Sequence, residues 1–475
     1  MKKLVLVYPN WISDYGRFNP AKYFARTYAL WPPLSLALLA TIAKKQDYLV
    51  HVIDGEIERL DINSLTNKII DIAPDYVGFT STTPFYHLTK KIATNLSNQT
   101  NSYNPVLILG GAHVSNCGDT EDDFSMFDYC FRGESEQSWK DFLSSDIQKN
   151  KEPMFIKSDT IDDIENPTFP DRTLLKYNLY KMKTKFGMRN IATVIHSRGC
   201  PFNCIFCSSK GFSRKVRIRT PEGFVDEIKW LNKTLEIGYF GIISDTFTMD
   251  KNNVLTVCDL IKRNDLKINF EVSTRANLVD DELMKSMADA GLTLISFGLE
   301  SVDPNVRSIM NKGGIKIEDY IVANNLANKY GVITQNPTMI GMPGDTIETI
   351  KKTMYFLRTN KSIKQANVSI AVPYPGTKLY DMAKNGEHNL KLETEDFSQF
   401  KRYGFSVMNV GELTPKRLKK IQDECFASIY FPWWRWRATI QRSGVFGLVD
   451  KLYRITKIFF SLRWDFLFTY RLKQP

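Results

Sequence analysis

The sequence predicts an α/β fold in two parallel-sheet units: a doubly wound sheet, then a partial β/α barrel, followed by a helical C-terminal region. Three observations predict it. Residues 1–145 alternate apolar strands with helix-period segments, and the strands are near-continuous apolar runs, as expected when helices cover both sheet faces. From 189 to 385 the alternation resumes for six units. In both stretches the polar and glycine residues gather just past the strands, where such sheets and barrels hold their ligands.

Each element has its own signal. "KLVLVYP" reads as a strand and "PPLSLALLATIAKKQ" as a helix with prolines at its start. "LVHVIDGE", "YVGFTSTTP", "PVLILGGAHVS" and "YCFRGE" are further strands, with "INSLTNKIIDIAP", "HLTKKIATNLSNQ" and "SEQSWKDFL" as the helices around them. Their carboxyl ends carry Pro9, Asp54, Ser81, Thr82, Thr83, Gly110, Gly111, Gly133 and Glu134. The stretch 146–188 is polar, proline-bearing and without a steady period, and reads as a linker. In the second unit the strand ends are "ATVIHSRGC", "FGIISDTFT", "INFEVSTRAN", "LISFGLES", "TQNPTMIGMPG" and "ANVSIAVPYPGT". Residues 386–475 include an amphipathic pattern, "TPKRLKKIQDECFASIY", and end basic and aromatic.

Composition narrows the function classes. The chain has 475 residues, enough for two or three domains, and 43% hydrophobic residues, enough for a sizeable core. Seven cysteines and no secretory leader argue for a reducing compartment, hence a cytoplasmic protein, and against a disulfide framework. No apolar run approaches the ~18 residues of a membrane span. The net charge of +11 is uneven: from Trp433 onward nine basic residues face two acidic ones.

Three cysteines fall within "RGCPFNCIFCSS": Cys200, Cys204 and Cys207. Incidental thiols at this density would rarely cluster so. A structural zinc site wants four ligands in paired short spacings, and no second pair exists; His196 falls within the preceding strand. An iron–sulfur cluster fits, because three thiolates leave one iron of a four-iron cluster open to another ligand. Pro201 and Asn203 suit the turn that wraps it.

The spacing Cys-x₃-Cys-x₂-Cys resembles the signature of the radical S-adenosylmethionine (SAM) superfamily. "ISDTFTMD", "STRAN", "FGLESVDPNVRSIMNKG", "TMIGMPGDTIET" and "PYPGT" follow in family order. With "PPLSLALLA", "GGAHVS" and "RGESE" upstream, residues 1–385 resemble the branch with an N-terminal cobalamin-binding domain. The resemblance implies a Rossmann-like cobalamin-binding domain and a (β/α)6 TIM-type barrel. It implies a [4Fe-4S] cluster on Cys200, Cys204 and Cys207, whose open iron chelates SAM and whose electron cleaves it to a 5′-deoxyadenosyl radical. Contacts to SAM are expected from Asp245, which keeps one acid of the family motif while Ser244 replaces the other, and from Ser273, Arg275, Glu300 and Gly341. Asp245 could instead cap a helix, Arg275 could pair with Glu271 or Glu300, and Gly341 could be a plain turn glycine. Phe202 and Phe206 either shield the cluster or pack the loop.

Cobalamin contacts are expected from Ser81, Thr82, Thr83, Gly110, Gly111, Gly133 and Glu134. No Asp-x-His-x-x-Gly loop follows the first strand, so the resemblance implies base-off cobalamin without a histidine ligand. His113 reads as a loop-stabilising residue, and a sheet that has lost cobalamin stands as the alternative. The expected reaction is methylation of an unactivated carbon, with cyclisation, oxidation or ring rearrangement as the alternative, and a non-catalytic redox-sensing module as a reading of another class. A flavodoxin or ferredoxin would supply electrons. In the tail, Trp433, Trp434, Trp436, Phe459, Phe460, Trp464, Phe466 and Phe468 are interleaved with arginines. Two readings stand: a peripheral contact with the inner membrane face and a lipid-like substrate, or a cap on the barrel with outward arginines. Nucleic acid is the weaker partner, as no RNA-binding module is present.

Overall fold

The computed structural model describes residues 1–11, 30–98, 104–119, 121–165, 169–184 and 187–461. Six strands form the first sheet: β1 (Lys3–Tyr8), β2 (Leu49–Asp54), β3 (Tyr76–Thr80), β4 (Val106–Gly110), β5 (Tyr129–Arg132) and β6 (Met154–Lys157). They are all parallel, in the order β2-β1-β3-β4-β5-β6. Alternate residues face opposite cores. Val5, Val7, Val77, Phe79, Leu107 and Leu109 pack on one side, and Leu4, Leu6, Tyr76, Ile108, Tyr129 and Phe131 on the other. Two-sided burial is why these strands read as unbroken apolar runs. The strand order reverses between β1 and β3, which opens a crevice at the carboxyl ends.

The stretch 146–188, expected as a linker, supplies a strand to each sheet. β6 is four residues long and half-exposed at a sheet edge, so it lacks the apolar run that marks a strand. β7 (Lys181–Thr184) runs antiparallel to β8 (Gly187–Ile195). The second sheet continues with β11 to β15. β9 (Ser197–Arg198) and β10 (Arg217–Ile218) form a separate small hairpin. β11 (Ile237–Ile243), β12 (Asn269–Thr274), β13 (Leu292–Phe297), β14 (Ile333–Ile340) and β15 (Gln365–Ile370) line up parallel beside β8. These are the six parallel strands of a partial barrel. Its helices start on side-chain caps: Thr220, Asp250, Asp280 and Thr346 each accept a backbone N–H of the first turn.

The C-terminal region is mainly helical. The helix Pro415–Tyr430 lies on β15, where Tyr430 Oη donates to Ala366 O (2.7 Å) and Gln422 Nε2 to Val368 O (2.9 Å). The helix Trp434–Ser461 packs against β7 and β15, the two edge strands of the barrel sheet. Arg435, Ala438, Thr439, Lys451 and Ile455 are buried, and Lys451 Nζ donates to Thr439 Oγ1 (3.3 Å), so the segment bends back on itself between them. The segment does pack on the barrel, but not as the cap reading has it: Arg435 is buried and Trp433 is exposed. Trp464, Phe466 and Phe468 lie outside the described residues, and so do the side chains of Phe459 and Phe460.

A buried ionic network fastens the segment between the sheets to the barrel. Arg172, 1% exposed, donates to Glu227 Oε1 (2.7 Å), Thr193 O (2.9 Å) and Tyr177 Oη (3.2 Å). Glu227 Oε2 accepts from Arg219 on the far side. Removing one partner of a buried pair leaves the other charge uncompensated, at a cost of about 3–5 kcal/mol. Arg172→Ala is expected to lower unfolding free energy by about that amount in urea titrations, while Thr173→Ala, on the exposed side of the same turn, should change it far less.

Candidate functional site

The carboxyl ends of both sheets open into one cavity of about 910 Å³. From the first sheet Tyr8, Thr80, Thr82, Gly110, Gly111, Gly133 and Glu134 line it. From the barrel side come Arg198, Gly199, Ser244, Asp245 and Ser273. Its walls are mostly apolar, with Trp31, Leu38, Phe79, Ile108 and Trp139 among them. A large, mainly apolar cleft at a topological switch point is where a cofactor of this fold class binds.

The cysteine loop leaves the β9–β10 hairpin at Gly199. This glycine has φ +88°, and a Cβ there would collide with the carbonyl of Lys215 across the hairpin. The loop is pinned from the barrel: Ile205 N donates to Met310 O (3.4 Å), Leu379 N to Ile205 O (2.9 Å) and Asn311 Nδ2 to Asn203 O (3.0 Å). Cys200, Cys204 and Cys207 are free and half-buried. Burial pushes the Cys200 and Cys204 thiols up, and their cysteine neighbours add to it. Among the described residues no three His, Cys, Asp or Glu side chains converge to hold a single metal ion. A cluster spreads its ligands over several irons, so three thiols carried at separate points of one pinned loop fit it better than a lone ion. Phe206 packs on the barrel core, and Phe202 lies under the Arg275 guanidinium, 3.5 Å from ring centre to charge.

The five barrel residues expected to meet SAM divide into two groups. Asp245 and Ser273 face the cavity. Asp245 accepts the Gly199 N–H, which opposes the upward push of burial on its pKa. It does not cap the next helix; Asp250 does. Arg275, Glu300 and Gly341 do not line this cavity. Arg275 is stacked on Phe202, and no ion pair joins it to Glu271 or Glu300. Glu300, 6% exposed with φ +62°, takes a hydrogen bond from Lys312 Nζ at 3.0 Å. Gly341 does have φ +79°, but the space a Cβ would take is bounded by Leu418, 3.1 Å away. A side chain here would press on the helix that carries Leu418.

The first-sheet residues divide likewise. Thr82, Gly110, Gly111, Gly133 and Glu134 reach the cavity, whereas Ser81 and Thr83 are buried behind it. Thr83 Oγ1 meets His113 Nδ1 (3.4 Å), and His113 Nε2 meets Asp122 Oδ2 (3.2 Å). Fully buried against Tyr86, His113 stabilises the loop, as expected. None of the five histidines lines the cavity. Gly111, with φ +101°, has no room for a Cβ beside Thr80 Oγ1 and the Ser81 backbone, so the two strand-end loops lie close together there.

Glu134 does something sequence reading missed. Its carboxylate forks Arg217, with Oε2 and Oε1 accepting from Nη1 and Nη2 at 2.6 and 2.7 Å, and Arg198 approaches to 3.5 Å. Glu136 takes a second bond from Arg198. These acids follow β5 of the first sheet; the arginines sit on β9 and β10, the hairpin that carries the cysteines. Burial would raise the Glu134 pKa, but Arg217 and Arg198 hold it below the usual range. Lys312 and Trp31 were also unforeseen. Trp31 lies on Gly241 of β11, where a Cβ would sit 3.0 Å from its ring, and only the bare Trp-Pro-Pro preceding a helix hinted at it. Glu134 is part of the cavity wall, but its carboxylate is engaged by the barrel.

Comparisons with known proteins follow this geometry. The family model described as the radical SAM superfamily matches residues 194–357, which makes the barrel and its cysteine loop a radical SAM domain. The model of the B12 binding domain matches residues 21–143. The chain therefore carries both a radical SAM domain and a B12-binding domain. An uncharacterized methyltransferase of Pyrococcus horikoshii is 29% identical over 84% of this chain and 88% of its own. An anaerobic magnesium-protoporphyrin IX monomethyl ester cyclase of Rubrivivax gelatinosus is 27% identical over 78% of this chain and 68% of its own. Among solved structures, the radical SAM methyltransferase TsrM of Kitasatospora setae, with cobalamin and a [4Fe-4S] cluster bound, superposes with TM-score 0.65. It covers 97% of this chain and 100% of its own at 15% identity, a likeness of fold.

The Glu134 fork makes a pH-dependent prediction. A carboxylate with a lowered folded pKa contributes stability in full above the ordinary glutamate value of about 4.3, and that contribution is lost as pH falls through the folded value. Glu134→Gln should therefore lower the melting temperature at neutral pH and flatten the acid limb of the melting-temperature–pH profile. An unchanged acid limb would show that the fork does not hold the interface.

Proposed function

We propose that this chain reductively cleaves SAM and methylates an unactivated carbon of a small-molecule or lipid-like substrate. The observation that supports it most is the single cavity. It brings Asp245, Ser273 and the start of the cysteine loop to one side, and the Thr82, Gly110, Gly111 and Gly133 turns to the other, with mostly apolar walls between. Cys200, Cys204 and Cys207 would hold a [4Fe-4S] cluster, and the glycine turns of the first sheet would hold base-off cobalamin. When bound, these groups supply the electron that yields a 5′-deoxyadenosyl radical and the methyl group to be transferred.

The chain's own residues position and exclude. Gly199 N–H fixes the Asp245 carboxylate at the cavity edge, where it can accept a hydrogen bond from the amine of methionine. Lys312 anchors Glu300 from behind and leaves its second oxygen as an acceptor. The Arg275–Phe202 stack and the half-buried Phe206 would help to keep water from the thiols. A flavodoxin or ferredoxin is the proposed electron donor, and a membrane surface the proposed place of work, peripheral to it. No helix among the described residues is long and apolar enough to cross a membrane.

The cyclase relative supports a second reading, in which a substrate radical closes or rearranges a ring and no methyl group moves. Anaerobic reconstitution with iron, sulfide and cobalamin, followed by reductant and methyl-labelled SAM, divides the readings. The expected result is 5′-deoxyadenosine together with label on the cobalamin. Changing Cys200, Cys204 and Cys207 to serine should abolish both, with loss of the cluster's absorption. Deoxyadenosine without labelled cobalamin would favour the cyclase reading, and neither product would leave a redox-sensing module.

A further inference from the structure

The barrel is not filled on its inner side. Ser273 of β12, which lines the cavity, pairs in register with Ser296 of β13, and Ser296 pairs with Gln335 of β14. Two residues beyond Gln335, Pro337 pairs with Asn367 of β15. Paired residues share a face, as do residues two apart, so Ser273, Ser296, Gln335 and Asn367 form one polar row across the sheet. All four are open or half-open, whereas their chain neighbours Thr274, Phe297, Asn336 and Val368 are buried. Asn336 bonds Asn324 of the helix Ile317–Lys329, which puts the helices on the opposite face and the polar row on the inside. Barrels of this class ordinarily pack that space with branched apolar side chains. Here it is polar and open, and the row starts at a residue of the cavity wall.

The far end of the row meets a cation. The C-terminal region lays residues 400–405 across the end of β15. Ile370 N and Gln422 Nε2 both donate to Arg402 O (2.9 Å each), and Gln422 Oε1 accepts Gly404 N (2.8 Å). Gln422 is buried on the helix Pro415–Tyr430, so this clamp is fixed from within the core. It delivers two side chains. Tyr403 Oη accepts from Asn367 Nδ2 (2.9 Å), which sets it at the last position of the polar row. The Arg402 guanidinium is hydrogen-bonded to the Tyr374 hydroxyl and lies 5.7 Å from that ring's centre. Arg402 is open to solvent, yet burial is the largest influence on its pKa. A side chain both open and crowded lines a hollow. Glu300 acts on the titration of both Arg402 and Tyr403, so the hollow borders the Glu300–Lys312 pair. Lys312 is spent on Gly298 O (2.6 Å) and Glu300 Oε1 (3.0 Å). Arg402 is not spent: among the described residues no carboxylate closes on it.

We propose that Arg402, backed by Tyr374 and Tyr403, seats a carboxylate of the substrate on the inner face of the barrel. The planar guanidinium fork matches a carboxylate, and with Glu300 nearby a single negative charge is favoured over a phosphate dianion. The proposal rests on the reading above and deepens it: the substrate is an acid. Its carboxylate lies at the Asn367 end of the polar row, and its reacting carbon toward Ser273 and the cavity.

The test is calorimetric titration of the reconstituted full-length protein with 4-phenylbutyrate, 4-phenylbutyramide and 3-phenylpropyl phosphate, probes of similar shape. The wild type should bind the acid about ten-fold more tightly than the amide, the worth of a charge-assisted hydrogen bond. It should bind the phosphate no better than the acid. Arg402→Gln should erase the difference between acid and amide. Arg402→Lys, which keeps the charge but not the fork, should restore part of it. Because a misfolded variant would mislead, Tyr374→Phe forms an independent arm. It removes the hydroxyl that holds the guanidinium, keeps the ring, and should weaken acid binding while leaving amide binding as it was. The proposal is overturned if the wild type binds acid and amide alike or binds neither, or if the phosphate binds more tightly than the acid. It is equally overturned if Arg402→Gln keeps the preference or Tyr374→Phe leaves it unchanged. A role for Arg402 in steadying Glu300 alone would not move the acid-over-amide ratio. Formation of 5′-deoxyadenosine by the wild type is scored separately, so failure of the acid site and failure of the radical chemistry are told apart.

Discussion

One carboxylate holds the two halves of this molecule in working relation. Glu134 leaves the end of β5 and closes a two-pronged bond on Arg217, with Arg198 alongside. The hairpin it grips is the one from which the cysteine loop springs. The cluster loop is therefore positioned by the first sheet as much as by the barrel beneath it. A bidentate pair of this kind fixes direction as well as distance. The cavity wall on both sides depends on that direction, because Gly133 and Glu134 stand on one bank and Arg198 and Gly199 on the other.

The packing around the fork follows the same logic of covering what would be costly to leave bare. Arg172, Glu227 and Arg219 form a buried chain of alternating charge that anchors the crossing segment to β8 and its helix. Tyr180 Oη donates to Asp54 Oδ2 (2.7 Å), which ties that segment to the end of β2 as well. Trp31 reaches from the first unit onto Gly241 of the barrel. Contacts of this density make the interface one surface, and a ligand placed between the sheets meets walls that are already set.

Much of this was legible in the residues. The strand–helix rhythm, the six barrel units and the three-thiol loop are local signals: periodicity, chain reversals and spacing. They survive without knowledge of any partner. The roles of individual polar residues were less legible. Asp245 reads as a ligand contact with a helix cap as the alternative until Asp250 is seen to take the cap. Ser81 and Thr83 look like cavity hydroxyls in sequence, yet strand-end curvature turns them inward to Thr82 and His113. β6 escaped notice because a short, half-exposed edge strand buries too little apolar surface to write a pattern.

By itself the sequence determined the class of fold, the thiol loop and the basic, aromatic character of the end of the chain. These follow from composition and short-range spacing, which no distant contact can alter. Tertiary structure alone decided which sides face what. It turned Glu134 toward Arg217, set Gly341 against Leu418 and placed Lys312 behind Glu300. It also divided the last helix between barrel and solvent. Such pairings join residues far apart in the chain, and only the folded backbone sets the distances between them.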